Sequence, residues 1–336
     1  MRSVPSGSFE RLSSLGALWR AYGLHARGKL RRPAVARFSL DADTHVFALR
    51  RALAAGTYRA GPFCQLVIRE PKMRLISVPA LRDRIVHQAV VAELDPHYRA
   101  GYIDASYACL PGRGPQRAVL RYLAWTRRFR FRLSLDIRRY FPSVDHTILL
   151  ENLVFPRLRD ERTRALLRGL VAAGGEVYRT PLAVEVLELD RDPVPQGAGL
   201  AIGSCLSQWA ANLYLDGLDQ FIKRVLKVKA YLRYMDDFTL FADEKSQLCE
   251  ARAAIAAWLA ERRKLSLNPK RMHVRPAGEP STFLGYRVTR AGLAPGEKME
   301  RRLAINVRRA ASQGPAALAR TMRSYRALVG FGSAGR

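Results

Sequence analysis

Two adjacent carboxylates, Asp236 and Asp237, stand at the tip of an otherwise apolar stretch, Tyr231-Leu232-Arg233-Tyr234-Met235-Asp236-Asp237-Phe238-Thr239-Leu240-Phe241. The aromatic-rich runs on either side predict two strands with a tight turn between them. A single Asp at such a turn is ordinary, because its short polar side chain suits turn backbone. Two ionised neighbours repel unless positive charge lies between them, and a pair of divalent cations would supply it. Phosphoryl transfer by two cations needs a further acidic ligand from a separate strand, so that the ions can flank a reacting phosphate.

The second contributor stands upstream. In the run 128–137, Phe129, Phe131, Leu133, Leu135 and Ile137 are apolar, whereas Arg128, Arg130, Arg132, Ser134 and Asp136 are polar. That alternation predicts a half-buried strand with Asp136 at its end on the polar face. Taken alone, Asp136 reads as a strand-ending or capping residue. Asp145, just before Thr147-Ile148-Leu149-Leu150, reads as the cap of a short helix. His146 reads as a packing or hydrogen-bonding residue.

The chain has 336 residues, enough for a real core and two or three lobes. Lys and Arg number 57 against 29 Asp and Glu, a net charge of +28, and 48% of residues are hydrophobic. A folded protein with that excess expects a polyanionic partner, nucleic acid before an anionic membrane. Cys64, Cys109, Cys205 and Cys249 lie far apart, so no zinc site or disulfide framework is suggested and a reducing, cytoplasmic setting is expected. No apolar run fits a signal peptide or a span, and no amphipathic anchor is found, so no membrane partner is expected.

Residues 1–60 read as a basic, largely helical extension, either contacting nucleic acid or simply solvated at Arg27, Lys29, Arg31, Arg32 and Arg37. Residues 66–79 predict two strands joined at Pro71-Lys72, with Lys72 and Arg74 near the tip, where cations suit a triphosphate. A helix follows over 80–90, and 107–114 is a Gly-rich basic loop carrying Arg113. The Gly- and Pro-bounded segment 172–196, with Glu185, Glu188, Asp190 and Asp192, predicts an acidic hairpin outside the core. Residues 199–208 open an amphipathic helix, and small residues there let backbone amides approach a phosphate or sugar. A further helix is predicted over 248–265, and basic helices over the last fifty residues.

The Tyr234-Met235-Asp236-Asp237 hairpin resembles the catalytic hairpin of reverse transcriptases, and Asp136-Ile137-Arg138-Arg139-Tyr140-Phe141 resembles motif A of the prokaryotic members. The resemblance runs from about Pro62 to Gly330 with its motifs in order. It implies an α+β right-hand polymerase fold. Fingers and palm would lie within 61–287, the fingers mainly 61–128, the palm an antiparallel sheet bearing the catalytic hairpin. A reduced, helical thumb would occupy 288–336. It implies two Mg2+ ions on Asp136, Asp236 and Asp237, with the backbone carbonyl of Ile137 assisting. The primer 3′-hydroxyl would attack the α-phosphate, and dNTPs, an RNA template and a DNA or RNA primer would be partners. Lys72 and Arg74 would hold the incoming nucleotide, Phe141 would exclude a 2′-hydroxyl, and Gly285 and Tyr286 would grip the primer. Arg113 falls on the loop the family carries before the palm. Lys270 falls where related polymerases keep a lysine near the leaving pyrophosphate; an exposed lysine with no role is the plainer alternative.

Within the family, Ile202-Gly203-Ser204-Cys205-Leu206-Ser207-Gln208 resembles the signature of diversity-generating retroelement enzymes, with Gln208 where Pro is usual. That resemblance implies adenine-directed misincorporation, fidelity-lowering contacts at Arg74, Ile202 and Gln208, and a small basic accessory protein. A phage-defence reverse transcriptase is the alternative. A silent RNA-binding scaffold is the reading from a different class, and three intact Asp residues argue against it.

Overall fold

The computed structural model describes residues 3–69 and 73–333, leaving aside the side chains of 327–330, 332 and 333. The chain divides into two compact units. The first holds 1–102, 139–217 and 259–265, and the second 103–138, 218–258 and 266–336.

The first unit begins with helices α1 (Ser8–Leu12), α2 (Leu15–Ala26), α3 (Pro33–Ser39) and α4 (Ala42–Ala54). Ser14 caps α2 by accepting from the Ala17 N–H, and Pro33 starts α3 where a missing N–H costs nothing. Strands β1 (Phe63–Ile68) and β2 (Arg74–Pro79) pair antiparallel, Phe63 against Pro79 and Ile68 against Arg74. Helix α5 (Leu81–Arg99) buries Ile85, Val86, Val90 and Leu94 completely. Its Asp83 is also buried, accepting from the Tyr58 hydroxyl at 2.7 Å and the Gly61 N–H at 3.0 Å.

Residues 141–143 form a 3-10 turn, and 148–154 a π-helical stretch whose first amide, Ile148 N–H, is capped by Asp145 at 2.9 Å. The His146 ring hydrogen-bonds the Gly199 carbonyl at 2.7 Å. Helices α7 (Glu161–Glu176) and α8 (Pro181–Leu187) follow α6 (Pro115–Arg128) of the second unit in chain order. The expected acidic hairpin over 172–196 is therefore corrected to helix. Thr180 caps α8 through the Ala183 N–H and Pro181 opens it, which is a helix start and not a strand. Ala183 and Leu189 are buried with Val177, Tyr178 and Leu75, so the segment belongs to the core of its unit.

In the second unit, β3 (Phe131–Asp136), β4 (Ala230–Tyr234), β5 (Asp237–Ala242) and β6 (Val274–Pro276) form one antiparallel sheet in the order β4-β5-β3-β6. The alternation expected for β3 has one exception, since Arg132 is buried. One terminal guanidinium nitrogen donates to the carbonyls of Pro276, Ala277 and Glu279, which gives the buried group hydrogen-bond partners. Strands β7 (Ser281–Phe283), β8 (Tyr286–Val288) and β9 (Leu293–Pro295) make a smaller sheet. Helix α6 packs its buried Val119, Tyr122 and Leu123 into one cluster with Leu232, Phe241, Phe283 and Tyr286. Helices α9 (Cys205–Gln220) and α10 (Lys245–Arg263) flank β4 and β5 in sequence, and α11 (Glu297–Ser312) and α12 (Pro315–Ser333) follow β9. No helix among the described residues is long and apolar enough to cross a membrane.

Candidate catalytic site

Register brings the acidic residues together. Asp136, the last residue of β3, lies directly opposite Asp237, the first of β5. Tyr234 faces Asp237 across the β4–β5 pair, so Met235 and Asp236 form a two-residue turn. Met235 takes a left-handed backbone, φ 58°, as tight two-residue hairpin turns require. Asp236 therefore sits on the turn beside a cross-strand carboxylate pair, within one structural unit.

Burial raises the Asp237 carboxyl from its ordinary value to about 7, the largest cause being desolvation. The Arg271 guanidinium, 3.6 Å from Oδ2, opposes that rise, while the neighbouring Asp136 and Asp236 charges add to it. Asp136 Oδ2 accepts from Asn268 Nδ2 at 2.9 Å, and its backbone carbonyl accepts from the Asn268 N–H at 2.7 Å. Ile137, buried, bridges Leu267 in antiparallel fashion. Asn268 Oδ1 in turn caps the 269–271 turn by accepting from the Lys270 N–H. The segment 266–271 is thus sewn along the end of β3.

Carboxylate oxygens at the end of a sheet are the hard donors that Mg2+ and Mn2+ prefer. A cation would also relieve the desolvated, like-charged state that holds Asp237 so high. Among the described residues no group of three or more His, Cys, Asp and Glu stands ready-made as a metal cage. In this structure the carboxylates instead engage Asn268 and Arg271.

The remaining expected residues distribute between the units. In the first, Arg74 is exposed at the start of β2, and Lys72 lies outside the described residues. The Ile202 carbonyl accepts from the Ser77 N–H at 2.7 Å, three residues along the strand from Arg74. Gly203, φ 124°, follows, and a Cβ there would stand 2.9 Å from the Ser77 carbonyl oxygen. Gln208 is exposed in the first turn of α9, and Phe141 is half-buried in its 3-10 turn.

In the second unit, Lys270 is exposed. Leu284 and Gly285, both with positive φ, form the turn between Phe283 and Tyr286. Tyr286 is buried and meets the Phe331 ring edge-on. Arg113 donates to the Ile103 and Ser106 carbonyls and to Asp104, which shapes its own loop.

Sequence reasoning missed Arg233, Asp219, Asn268 and Arg271. Arg233 lies fully buried in β4, its fork closed on Asp219 at 2.7 and 2.6 Å. The signal was present: a charge inside Tyr231-Leu232-Arg233-Tyr234 must find a partner, and Asp219 interrupts an equally apolar helix stretch.

The family model described as "Reverse transcriptase (RNA-dependent DNA polymerase)" matches residues 68–288. Protein YkfC of Escherichia coli (strain K12) is 27% identical over 288 residues, covering 74% of this chain and 72% of YkfC. The group II intron-encoded protein LtrA of Lactococcus lactis subsp. cremoris is 22% identical over 313 residues, covering 72% of this chain and 49% of LtrA. The solved structure of apo telomerase from Candida tropicalis shares 12% identity at a TM-score of 0.49, over 70% of this chain and 49% of that one. The chain thus spans about half the length of LtrA and of the telomerase.

Proposed function

The chain belongs to the reverse transcriptases, RNA-directed DNA polymerases, and from that premise we propose that it copies an RNA template into cDNA at Asp136, Asp236 and Asp237 as the error-prone enzyme of a diversity-generating retroelement. The observation that carries the site is the register of Asp136 opposite Asp237, with Asp236 on the adjoining turn. Two Mg2+ ions, when bound, would neutralise charge on the reacting phosphates and activate the primer hydroxyl.

In this reading Asp136 and Asp236 would hold the ions, with Asp237 and the Ile137 carbonyl assisting. Lys270 delivers a proton toward the leaving pyrophosphate. Lys72 and Arg74 take phosphate oxygens of the dNTP, Arg bidentately, and the Phe141 ring excludes a 2′-hydroxyl. The backbone of Gly285 and Tyr286 meets the primer, and Arg113 meets the template strand through the loop it orders. Residues 1–60 form a basic extension, 61–287 the fingers and palm, and 288–336 the thumb.

Support for the retroelement reading is the Ile202-Gly203…Ser207-Gln208 signature and the bond from Ser77 to Ile202, which ties that turn to the strand bearing Arg74. A pocket that holds the base pair less tightly loses fidelity cheaply, since each factor of ten is about 1.4 kcal/mol. A small basic accessory protein completes the system. The likeness to LtrA favours a second reading, a prokaryotic reverse transcriptase outside such elements, phage-defence enzymes included.

Sequencing cDNA made from a defined RNA with all four bases separates the two. Errors concentrated opposite adenines are expected. Errors spread evenly would sink the retroelement assignment and leave the polymerase intact.

A further inference from the structure

Among the described residues the largest fully buried side chain is a charged one, Arg233. Taking a guanidinium out of water is costly, and an apolar pair of similar volume often serves stability as well or better. Stability alone is thus a weak reason for this ion pair. Its geometry offers a better one. Nε and one terminal nitrogen close on the two Asp219 oxygens, and the Tyr231 hydroxyl donates to Asp219 Oδ1 at 2.6 Å. The remaining terminal nitrogen donates to the Met235 carbonyl at 3.0 Å.

Met235 is the left-handed residue of the turn, a conformation that is unfavourable for a non-glycine residue. The backbone beneath is pinned on both sides. Arg233 N–H donates to the Ala105 carbonyl at 2.8 Å, its carbonyl accepts from the Tyr107 N–H at 2.9 Å, and across the hairpin it pairs with Phe238. A clamped base therefore holds the guanidinium, and the guanidinium holds the carbonyl one residue before Asp236.

We propose that Arg233, locked by Asp219 and Tyr231, is the positioning residue that sets the 235–236 turn and so aims Asp236 and Asp237 at a divalent cation. The inference rests on the metal-dependent polymerase reading above. Nothing in it requires Arg233 to touch substrate.

Two variants test it. Arg233→Lys keeps one charge beside Asp219 but cannot both bridge its oxygens and reach Met235. Arg233→Met with Asp219→Leu removes the pair without stranding a charge. For each, the thermal transition, Mn2+ affinity by electron paramagnetic resonance, and kcat and KM for single-nucleotide incorporation are compared with wild type. Both variants are expected to melt cooperatively near wild type and to bind Mn2+ at least about tenfold more weakly. Their kcat should fall about thirtyfold while KM for dNTP stays within about twofold. A folded variant with wild-type Mn2+ affinity and kcat overturns the proposal, and so does loss of cooperative melting in both, which would make Arg233 a structural residue only. If wild type itself bound no Mn2+, the metal-dependent reading would fail first, a result distinct from wild-type binding that the variants merely match.

Discussion

Along β4 and β5 only Tyr234 and Asp237, at the turn end, are partly open, whereas β1 alternates exposed and half-buried residues throughout. Leu66, Ile68 and Met73 of the second hairpin region keep 54%, 46% and 50% of their surface in solvent. The β4–β5 turn is fixed from below by a buried charge network, while the β1–β2 strands are joined to their surroundings by bonds such as Ser77 N–H to Ile202. A turn held by a buried network and a strand pair with exposed faces suit different tasks. Changes at the first hairpin should strike turnover, and changes at the second should strike substrate handling with the fold intact.

The largest effect expected of that contrast is at the carboxylates. Asp136→Asn and Asp237→Asn should each lower kcat roughly 10³-fold in steady-state incorporation, with KM for dNTP little altered. An equal loss in KM would erase the distinction between the two regions.

Next in size is pH, where the regions should pull in opposite directions. His87 bonds Ser204 at 2.8 Å beside the 202–203 turn, its other ring nitrogen has no partner among the described residues, and burial lowers it from 6.5 to about 4. Its contribution is therefore complete above pH 6.5 and lost as pH falls toward 4, on the order of 3 kcal/mol. Asp237, raised from 3.8 to about 7, has the reverse sign in the metal-free protein. Its contribution is complete below 3.8 and lost as pH rises through 7. Solvent damps its size, because 34% of the side chain is exposed. Denaturant melts between pH 4 and 7 should show a flatter rise of stability with pH in His87→Asn and a steeper one in Asp237→Asn.

Smaller again is Arg74→Ala, expected to raise KM for dNTP about tenfold or more, as losing charge-assisted hydrogen bonds does, while the thermal transition holds. Last comes Gly203→Ala. A side chain at φ 124° and 2.9 Å from the Ser77 oxygen should cost about 1–3 kcal/mol, visible as a lower denaturant midpoint at unchanged slope. Gly285→Ala should cost less, because its closest neighbour is the movable Met299 Cε at 3.2 Å.

Half-buried elements were the most legible in the sequence. The alternation around β3 follows the side-chain period of a strand, and the apolar hairpin ending in two carboxylates announced its own turn. Buried charge was harder to read, because a binary pattern sends every Arg to solvent, and only the apolar run around Arg233 hinted otherwise. Arg132 is satisfied by carbonyls more than a hundred residues away, and Arg233 by an Asp on a helix fourteen residues upstream. The segment 172–196 misled by composition: its acids suggested a solvated hairpin, but Thr180-Pro181 is a helix start, and the apolar residues between the acids are what pack. Asn268 and Arg271 were hidden for a related reason, since their importance comes from lying along the end of β3, which no local pattern records.

Primer extension on an RNA template with Mg2+, wild type beside Asp236→Ala at matched template binding, tests the central claim most directly. Wild type should extend the primer and Asp236→Ala should be slower by roughly 10³-fold or more. Equal incorporation by both proteins would contradict the assignment of chemistry to these carboxylates.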